Sequence, residues 1–516
     1  MNNSNANTLT LMVLKPLPKP VLAALCALCL LHDWNGAAAQ QTPPPAKKTW
    51  VLGIDEAIRM ALTNNLDIRI SRINPQMDQY ALNGLYGAYQ PSLTYSMSHN
   101  YDSFPSGYFT QAGLAYPATI EQINSYTPGL SGVLPSGLTY NITGPLSEQN
   151  VKGAPDLYSS DPGITLSQPL LKNFWIDNTR YQISLGKKTL KNDQLALRLQ
   201  IMTVINNVKA AYYNLIYARE NVKVEEAAVE LAEETFHEDE QRVRVGALAP
   251  LDEKQAESQA ASARSDLLTA EANLAVQENS VKTLLAVPMG QWEDTVPVPS
   301  EQLVAVPAHP EVQECWRTGL EQRPDMLQAK LSIEKQHLTI KYTFNQLFPE
   351  IDLTGSYGRN ATALTLNNNL DSIRQGTYPF YSYGVAMTIP LGNSGPRNNY
   401  KSAKAGLEQL LLQAKKVEQS IVAAIDNDVK TVQSDLLKVD STRKARLYAE
   451  DALRAEQMKL EHGKSTSFVV LQLQNNLTSA RSSEIRALAD YNIALEQLSL
   501  DEGATLVQNH IDLPVR

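Results

Sequence analysis

Two stretches of this chain run for more than sixty residues without a proline. Residues 178–245 carry a single glycine, Gly186, and residues 398–461 also carry one, Gly406. Read as helix, the first spans roughly 100 Å at 1.5 Å per residue. Its apolar positions Leu195, Leu199, Met202, Ile205, Val208, Tyr212, Leu215, Ala218 and Val222 recur close to the 3.5-residue period of a coiled coil. The second run repeats this at Leu410, Ala414, Val417, Ile421 and Ala424. Each run meets a glycine, Gly246 or Gly463, and the pattern returns through a shorter helix at 251–286 or 468–500. Two antiparallel hairpins of this length exclude a compact globule and require an elongated architecture.

The hairpins belong to a larger internal repeat. Residues 246–281 align without a gap on 463–498, with Gly246 on Gly463, Gln255 on Gln472, and Ser262-Ala263-Arg264-Ser265 on Ser479-Ala480-Arg481-Ser482. Residues 56–91 align on 314–349, with Glu56 on Glu314, Arg59 on Arg317, Leu62 on Leu320, Asp67 on Asp325 and Pro91 on Pro349. The order is the same, which indicates one duplicated unit, at 51–286 and 311–502. A connector at 287–310 with five prolines separates the copies, and 503–516 forms a tail.

Each copy opens with a helix, at 54–89 in the first. Asp55 is its N-cap, Pro75 a kink and Pro91 its end. Strand periodicity follows. Leu93, Tyr95 and Met97 alternate with Thr94, Ser96 and Ser98, and Ile164-Thr165-Leu166-Ser167 alternates before Pro169. In the second copy 351–357 and 381–389 alternate. About two flanking strands per copy are expected, within 92–169 and 350–390, with an insert at 102–162 in the first. Residues 92–169 contain six charged side chains, whereas 187–286 contain 28. Ten of the 22 tyrosines fall between Tyr80 and Tyr158. Charge-poor, Tyr-rich alternating strands suit a transmembrane barrel. Four strands cannot close one, and open edges are not tolerated in lipid, so several chains must pool their strands.

The N-terminus agrees with that compartment. Lys15 and Lys19 precede an apolar run at 21–31, too short to span a bilayer, and Ala37-Ala38-Ala39 supplies a cleavage pattern. Residues 1–39 are expected to be a signal peptide and 40–50 a flexible leader. Leu25 and Leu28 precede Cys26 and Cys29, so lipid attachment is not expected. Only Cys315 then remains, a packed side chain. The net charge of −9 argues against nucleic acid as a partner.

With these residues in view, the chain resembles the TolC-like outer-membrane efflux family. The carriers are Leu52-Gly53-Ile54-Asp55-Glu56-Ala57, Ala61-Leu62-Thr63-Asn64-Asn65, Gln90-Pro91-Ser92-Leu93, Leu166-Ser167-Gln168-Pro169-Leu170 and the tip at 242–252, in order and over nearly all of 51–502. The resemblance implies a mainly α fold with a β-barrel part. Three chains would form a homotrimer with a twelve-stranded barrel in the lipid of the bacterial outer membrane, above a periplasmic helical tunnel. It implies an exit duct of tripartite efflux or type I secretion, without a cofactor, working with a periplasmic adaptor and, indirectly, an inner-membrane transporter. Adaptor docking falls by this resemblance on the tips, at Gly246, Leu248, Pro250, Gly463, Ser465 and Ser467. Candidate gate residues are Arg242, Arg244, Asp252, Glu253 and Gln472. Val469 stands where copy one has Asp252, which weakens any acidic ring, and Lys459 and Glu461 flank the second tip.

Other functions fit less well. Gly463-Lys464-Ser465 echoes the end of a phosphate-binding loop, but Met458 stands where that loop needs glycine. The seven histidines show no paired metal spacing, and an enzyme is not expected. A periplasmic coiled-coil adaptor or structural protein without a pore would explain the hairpins but not the strands.

Overall fold

The structure is a computed structural model that describes residues 48–109, 114–116 and 118–511. The signal-peptide assignment at 1–39 and the leader up to residue 47 lie outside the described residues.

The chain opens with strand β1 (Lys48–Leu52) and helices α1 (Ile54–Asn64) and α2 (Leu66–Leu85). The expected single helix at 54–89 is thus broken at Asn65. That side chain accepts hydrogen bonds from the Asp67 and Ile68 amides at 2.9 and 3.2 Å, capping α2. Pro75 lies inside α2 without ending it.

Strands β2 (Ser92–Phe104), β3 (Gly107–Phe109), β4 (Leu114–Tyr116), β5 (Thr119–Val133), β6 (Thr139–Thr143), β7 (Leu146–Val151), β8 (Leu157–Ser160) and β9 (Gly163–Pro169) come next. The first long helix, α3 (Asn178–Arg244), and its return, α4 (Pro250–Leu284), form the first hairpin. The connector contains strand β10 (Thr295–Pro299), which pairs with β1. Its prolines interrupt helix and leave the segment ordered.

The second half runs through α5 (Val312–Gln322), α6 (Pro324–Asn345), β11 (Glu350–Arg359), β12 (Ala361–Ala363), α7 (Leu366–Gln375) and β13 (Pro379–Thr388). Helices α8 (Ser394–Glu461) and α9 (Ser467–Asp501) form the second hairpin, followed by α10 (Thr505–Gln508). The opening helices α1 and α5 each have 11 residues, the long helices 67 and 68, and the returns 35 each.

The main sheet corrects the expectation of four strands. Strand β2 pairs with β5, and β5 pairs with β6 and β7. Strand β6 pairs with β9 and β7 with β8; β9 pairs with β11, β8 with β12, and β11 with β13. Short interruptions divide three of the passes, so the sheet is an antiparallel meander of six. The insert at 102–162 is the source of the difference. It supplies an additional up-and-down pair within the sheet, where Gly144 and Pro162 mark breaks between collinear strands.

The helical core is concentrated far from the tips. Leu52, Ile58 and Ile68 pack with Ile201, Met202, Ile205, Tyr212 and Leu215, all nearly solvent-free. Ile421, Ile425, Val429, Val432, Tyr491 and Leu498 form the counterpart around α8 and α9. Near the tips the clusters shrink to Ala232, Ala260 and Ala263, and to Leu453, Val470 and Leu477. A buried methyl contributes only ~0.8 kcal/mol against ~1.5–3 for a buried Leu or Ile. The tips are therefore the weakly held end of each hairpin.

Cys315 is buried in the second core, and burial pushes its thiol up to about 12. It packs as a small apolar side chain and is unreactive at neutral pH.

Candidate functional site

Two features combine chemistry with position: the faces of the six-pass sheet and the hairpin tips. Cross-strand register makes the faces explicit. Ser92, Ser131, Asn141, Thr165, Ser356 and Ser382 form one continuous row across all six passes. One residue along, Leu93, Leu130, Ile142, Ile164, Tyr357 and Tyr381 form the next. Successive side chains of a strand point to opposite faces, so one face is polar and uncharged along this row and the other is apolar. Ser356 Oγ and Ser382 Oγ lie 2.7 Å apart on the polar face.

The apolar face is open to its surroundings: Leu93 is 82% exposed, Tyr383 85% and Val385 64%. So much apolar surface on ordered strands marks a face made for lipid or for another chain. Farther along, the pattern turns polar. His99 Nδ1 lies 2.7 Å from Asn124 Oδ1, Asn124 Nδ2 donates to Glu148 at 3.0 Å, and Tyr158 donates to Glu148 at 2.7 Å. This chain of contacts crosses four strands, a polar boundary to the apolar zone. Among the described residues, no helix is long and apolar enough to cross a membrane.

The two tips close with the same geometry. At the first, Gly246 donates to Val243 O at 3.0 Å and Ala247 to Arg242 O at 2.7 Å. At the second, Gly463 donates to Leu460 O at 3.0 Å and Lys464 to Lys459 O at 2.8 Å. Gly246 and Gly463 have φ of +74° and +69°, the left-handed conformation that ends a helix in this motif. An added Cβ would meet nothing within 4 Å at either glycine, so backbone conformation rather than crowding selects the residue.

The residues expected at the tips sit as follows. Leu248 is half-buried and Pro250 is the first residue of α4. Asp252 accepts from the Ala249 amide at 3.2 Å and closes the N-terminus of α4. Glu253 lies beside Lys254 at 3.9 Å, and Gln472 is exposed. Arg242 pairs with Glu238 at 3.3 Å and Arg244 with Glu240 at 3.1 Å, both within α3. Ser465 donates to Glu456 at 2.6 Å, and Lys459 pairs with Glu456 at 2.7 Å.

Ser467 has the most consequential contact. Its hydroxyl donates to the carboxylate of Asp239, joining the start of α9 to the end of α3. Asp239 is almost fully buried, and burial pushes its carboxyl upward, opposed by the Ser467 hydroxyl and by Arg242, 4.0 Å away. Further ties lace the same two helices. Gln474 donates to Thr235 at 3.0 Å, Arg486 to Asn214 at 3.1 Å and Asn206 to Gln497 at 3.0 Å. Lys209 pairs with Glu496 at 2.8 Å. Sequence reasoning missed Asp239 because it sits between Glu238 and Glu240 and reads as part of a solvated acidic face. Only the helix partner reveals it.

A second buried acidic group lies at the opposite end of α9. Asp501 accepts from Arg323 at 2.7 Å. Asp428 on α8 stands next to Asp501, and burial together with that neighbour raises its carboxyl well above the ordinary range. Among the described residues, no group of His, Cys, Asp or Glu could hold a metal ion.

The family model described as outer membrane efflux protein matches residues 141–287 and 317–501, more than half of the chain. Nodulation protein T of Rhizobium leguminosarum bv. trifolii is 22% identical over 298 residues, 56% of this chain and 61% of that protein. Outer membrane protein TolC of Escherichia coli K12 is 21% identical over 326 residues, 62% of this chain and 64% of that protein. The matched region thus spans less than two thirds of these relatives. The Campylobacter jejuni CmeC outer membrane channel superposes with a TM-score of 0.64 at 16% identity, over 90% of each chain. The mostly helical architecture with strands is therefore the fold of these channels.

Proposed function

Since the chain belongs to the outer membrane efflux protein family, we propose that it is the gated exit duct of an efflux or secretion system, passive in itself. The family consists of channel proteins of the outer membrane and not of enzymes. In this reading three chains, each a duplicated helix–strand–hairpin unit, pool their sheets into one barrel and their hairpins into a periplasmic tunnel. The signal peptide at 1–39 would direct export.

The observation that carries the reading is the pairing of an exposed apolar row, Leu93 to Tyr381, with an uncharged polar row, Ser92 to Ser382, on one sheet. A wall with one lipid-compatible and one water-compatible face fits a pore and has no use in a soluble adaptor. Family membership likewise sets aside the adaptor and plain coiled-coil alternative.

The tips are the proposed docking surface for a periplasmic adaptor, through Gly246, Leu248, Pro250, Gly463, Ser465 and Ser467. An inner-membrane transporter would supply the energy. Opening separates α3 from α9 near their tips, where the core is thinnest, and breaks the Asp239–Ser467 contact. Of the gate candidates, Arg242 belongs to this contact. Arg244, Asp252, Glu253 and Gln472 line the same end.

Fractionation tests the reading. A heat-sensitive trimer in outer-membrane fractions that conducts ions in a planar bilayer is the expected result. A soluble periplasmic monomer without conductance would overturn it.

A further inference from the structure

We infer that three copies of this chain close a barrel of eighteen strands rather than twelve, with β2 of one copy zipped to β13 of the next. The inference rests on the trimeric exit-duct reading above and adds to it the strand number, the seam and the width of the outlet.

The ladder is continuous through the additional passes. If the additional pair of passes, β6–β7 and β8–β9, were a loop lying on a four-strand wall, β5 would pair with β11. It does not. Strand β5 pairs with β6, β6 with β9, and β9 with β11. The two rows run through the additional passes without a break in polarity. Asn141 and Thr165 stand in the polar row, and Ile142 and Ile164 in the apolar row. An extracellular loop has no reason to keep an apolar residue at each lipid-facing register position; a strand inside the wall must.

The seam follows from the edges. Strands β2 and β13 are the outermost passes, and among the described residues each presents an unpaired edge. Strand β2 has 13 residues and is exposed along its whole length; β13 has 10. Their apolar residues, Leu93, Tyr95 and Met97 on one and Tyr381, Tyr383 and Val385 on the other, lie on the same face of the sheet. Six antiparallel passes bring β2 and β13 to opposite directions, so a second copy can continue the ladder antiparallel with both faces in register. Lipid forbids open edges, and a second copy of this chain is the occupant whose faces match.

Width is the consequence. Barrel diameter grows nearly linearly with strand number, so eighteen strands give a bore about half as wide again as twelve at equal tilt. The polar row that lines it is made of hydroxyls and an amide without charge. The same face also carries Asp102 and Glu121 toward one end and Glu350 and Asp352 toward the other, so the outlet is hydrated, uncharged along the row and acidic toward its ends.

Cysteine accessibility in the membrane-embedded trimer tests this. Single variants Asn141→Cys, Ile142→Cys, Ile164→Cys and Thr165→Cys probe the additional passes. Ser92→Cys, Leu93→Cys, Tyr381→Cys and Ser382→Cys probe the edges. The unsubstituted chain gives the background, and the heat-sensitive trimer on gels reports folding. A charged, membrane-impermeant maleimide is expected to label positions 92, 141, 165 and 382 at least tenfold faster than 93, 142, 164 and 381. Equal labelling at 141, 142, 164 and 165 with alternation kept at the edges would overturn the eighteen-strand barrel and leave the exit duct standing. Loss of alternation at the edges as well, or absence of a trimer, would overturn both. Electron cryomicroscopy of the trimer in lipid discs gives the count directly: eighteen strands support the inference and twelve refute it.

Discussion

The hydroxyl of Ser467, at the first turn of the second return helix, donates to the buried carboxylate of Asp239, near the end of the first long helix. The two residues come from different hairpins and meet at the thinly packed tip. A hydrogen bond to a charged group contributes ~1.5–3 kcal/mol. Ser467→Ala is expected to raise the ratio of open to closed channels by roughly 10- to 150-fold, read as open probability in planar bilayers. An unchanged open probability would remove Ser467 from the gate.

Arg244 offers the contrast. It is 72% exposed at its side chain and pairs with Glu240 of its own helix. Such a surface pair contributes ~0.3–0.5 kcal/mol. Arg244→Glu should therefore change open probability less than about threefold. An effect as large as that of Ser467→Ala would mean that Arg244 meets an acidic group on a neighbouring chain.

The tip glycines are a matter of backbone. A residue with a Cβ in the left-handed conformation costs ~1–2 kcal/mol, and Gly246 and Gly463 have open space around them. Gly246→Ala and Gly463→Ala should speed amide exchange at 242–252 and 459–469 while leaving exchange in the cores around Tyr212 and Tyr491 unaltered. Faster exchange in the cores as well would show that the tips are coupled to the whole hairpin.

Asp428 makes the helical part sensitive to pH. Burial and the adjacent Asp501 raise its carboxyl from the usual value near 4 to about 8. The folded chain keeps a proton that the unfolded chain has released. The contribution of this group to stability is greatest below pH 4, falls as the pH rises toward 8, and changes no further above it. Asp428→Asn should flatten that fall, seen as a smaller difference in Tm between pH 5 and pH 8. An undiminished difference would assign the dependence to other groups.

Tyr491 holds the Pro-rich connector. Its hydroxyl donates to Val306 O at 2.7 Å and accepts from the Ala308 amide at 3.0 Å. Tyr491→Phe leaves both backbone groups without that partner, at a cost of ~1–2 kcal/mol. Faster proteolytic cleavage within 287–310 is the expected result, and an unaltered rate would mean that β10 and its pairing with β1 suffice to hold the segment.

Helical periodicity made the long hairpins legible, because nothing in 178–245 or 398–461 competes with it. The turns were legible at Gly246 and Gly463 for the same reason. Asn65 carries no local sign of a break, since its cap depends on how α2 leaves α1 and places Leu52, Ile58 and Ile68 in one core. Strands 139–143 and 146–151 were hidden because each is short and its alternation is weak until the partner rows are known. Asp239 and Gln474 were invisible for a deeper reason. Their function lies in a contact between helices more than two hundred residues apart in sequence, and no local pattern encodes it.

The unpaired edges of β2 and β13 bear on inheritance as much as on architecture. In a ring of three such chains every seam is shared, so folding of the wall and assembly of the ring are a single event. A copy with a damaged edge disables two sound neighbours. Where altered and unaltered copies are made in equal amounts and mix at random, about one ring in eight is free of the defect. Edge lesions should therefore act dominantly, whereas lesions in the interior of a single sheet should not.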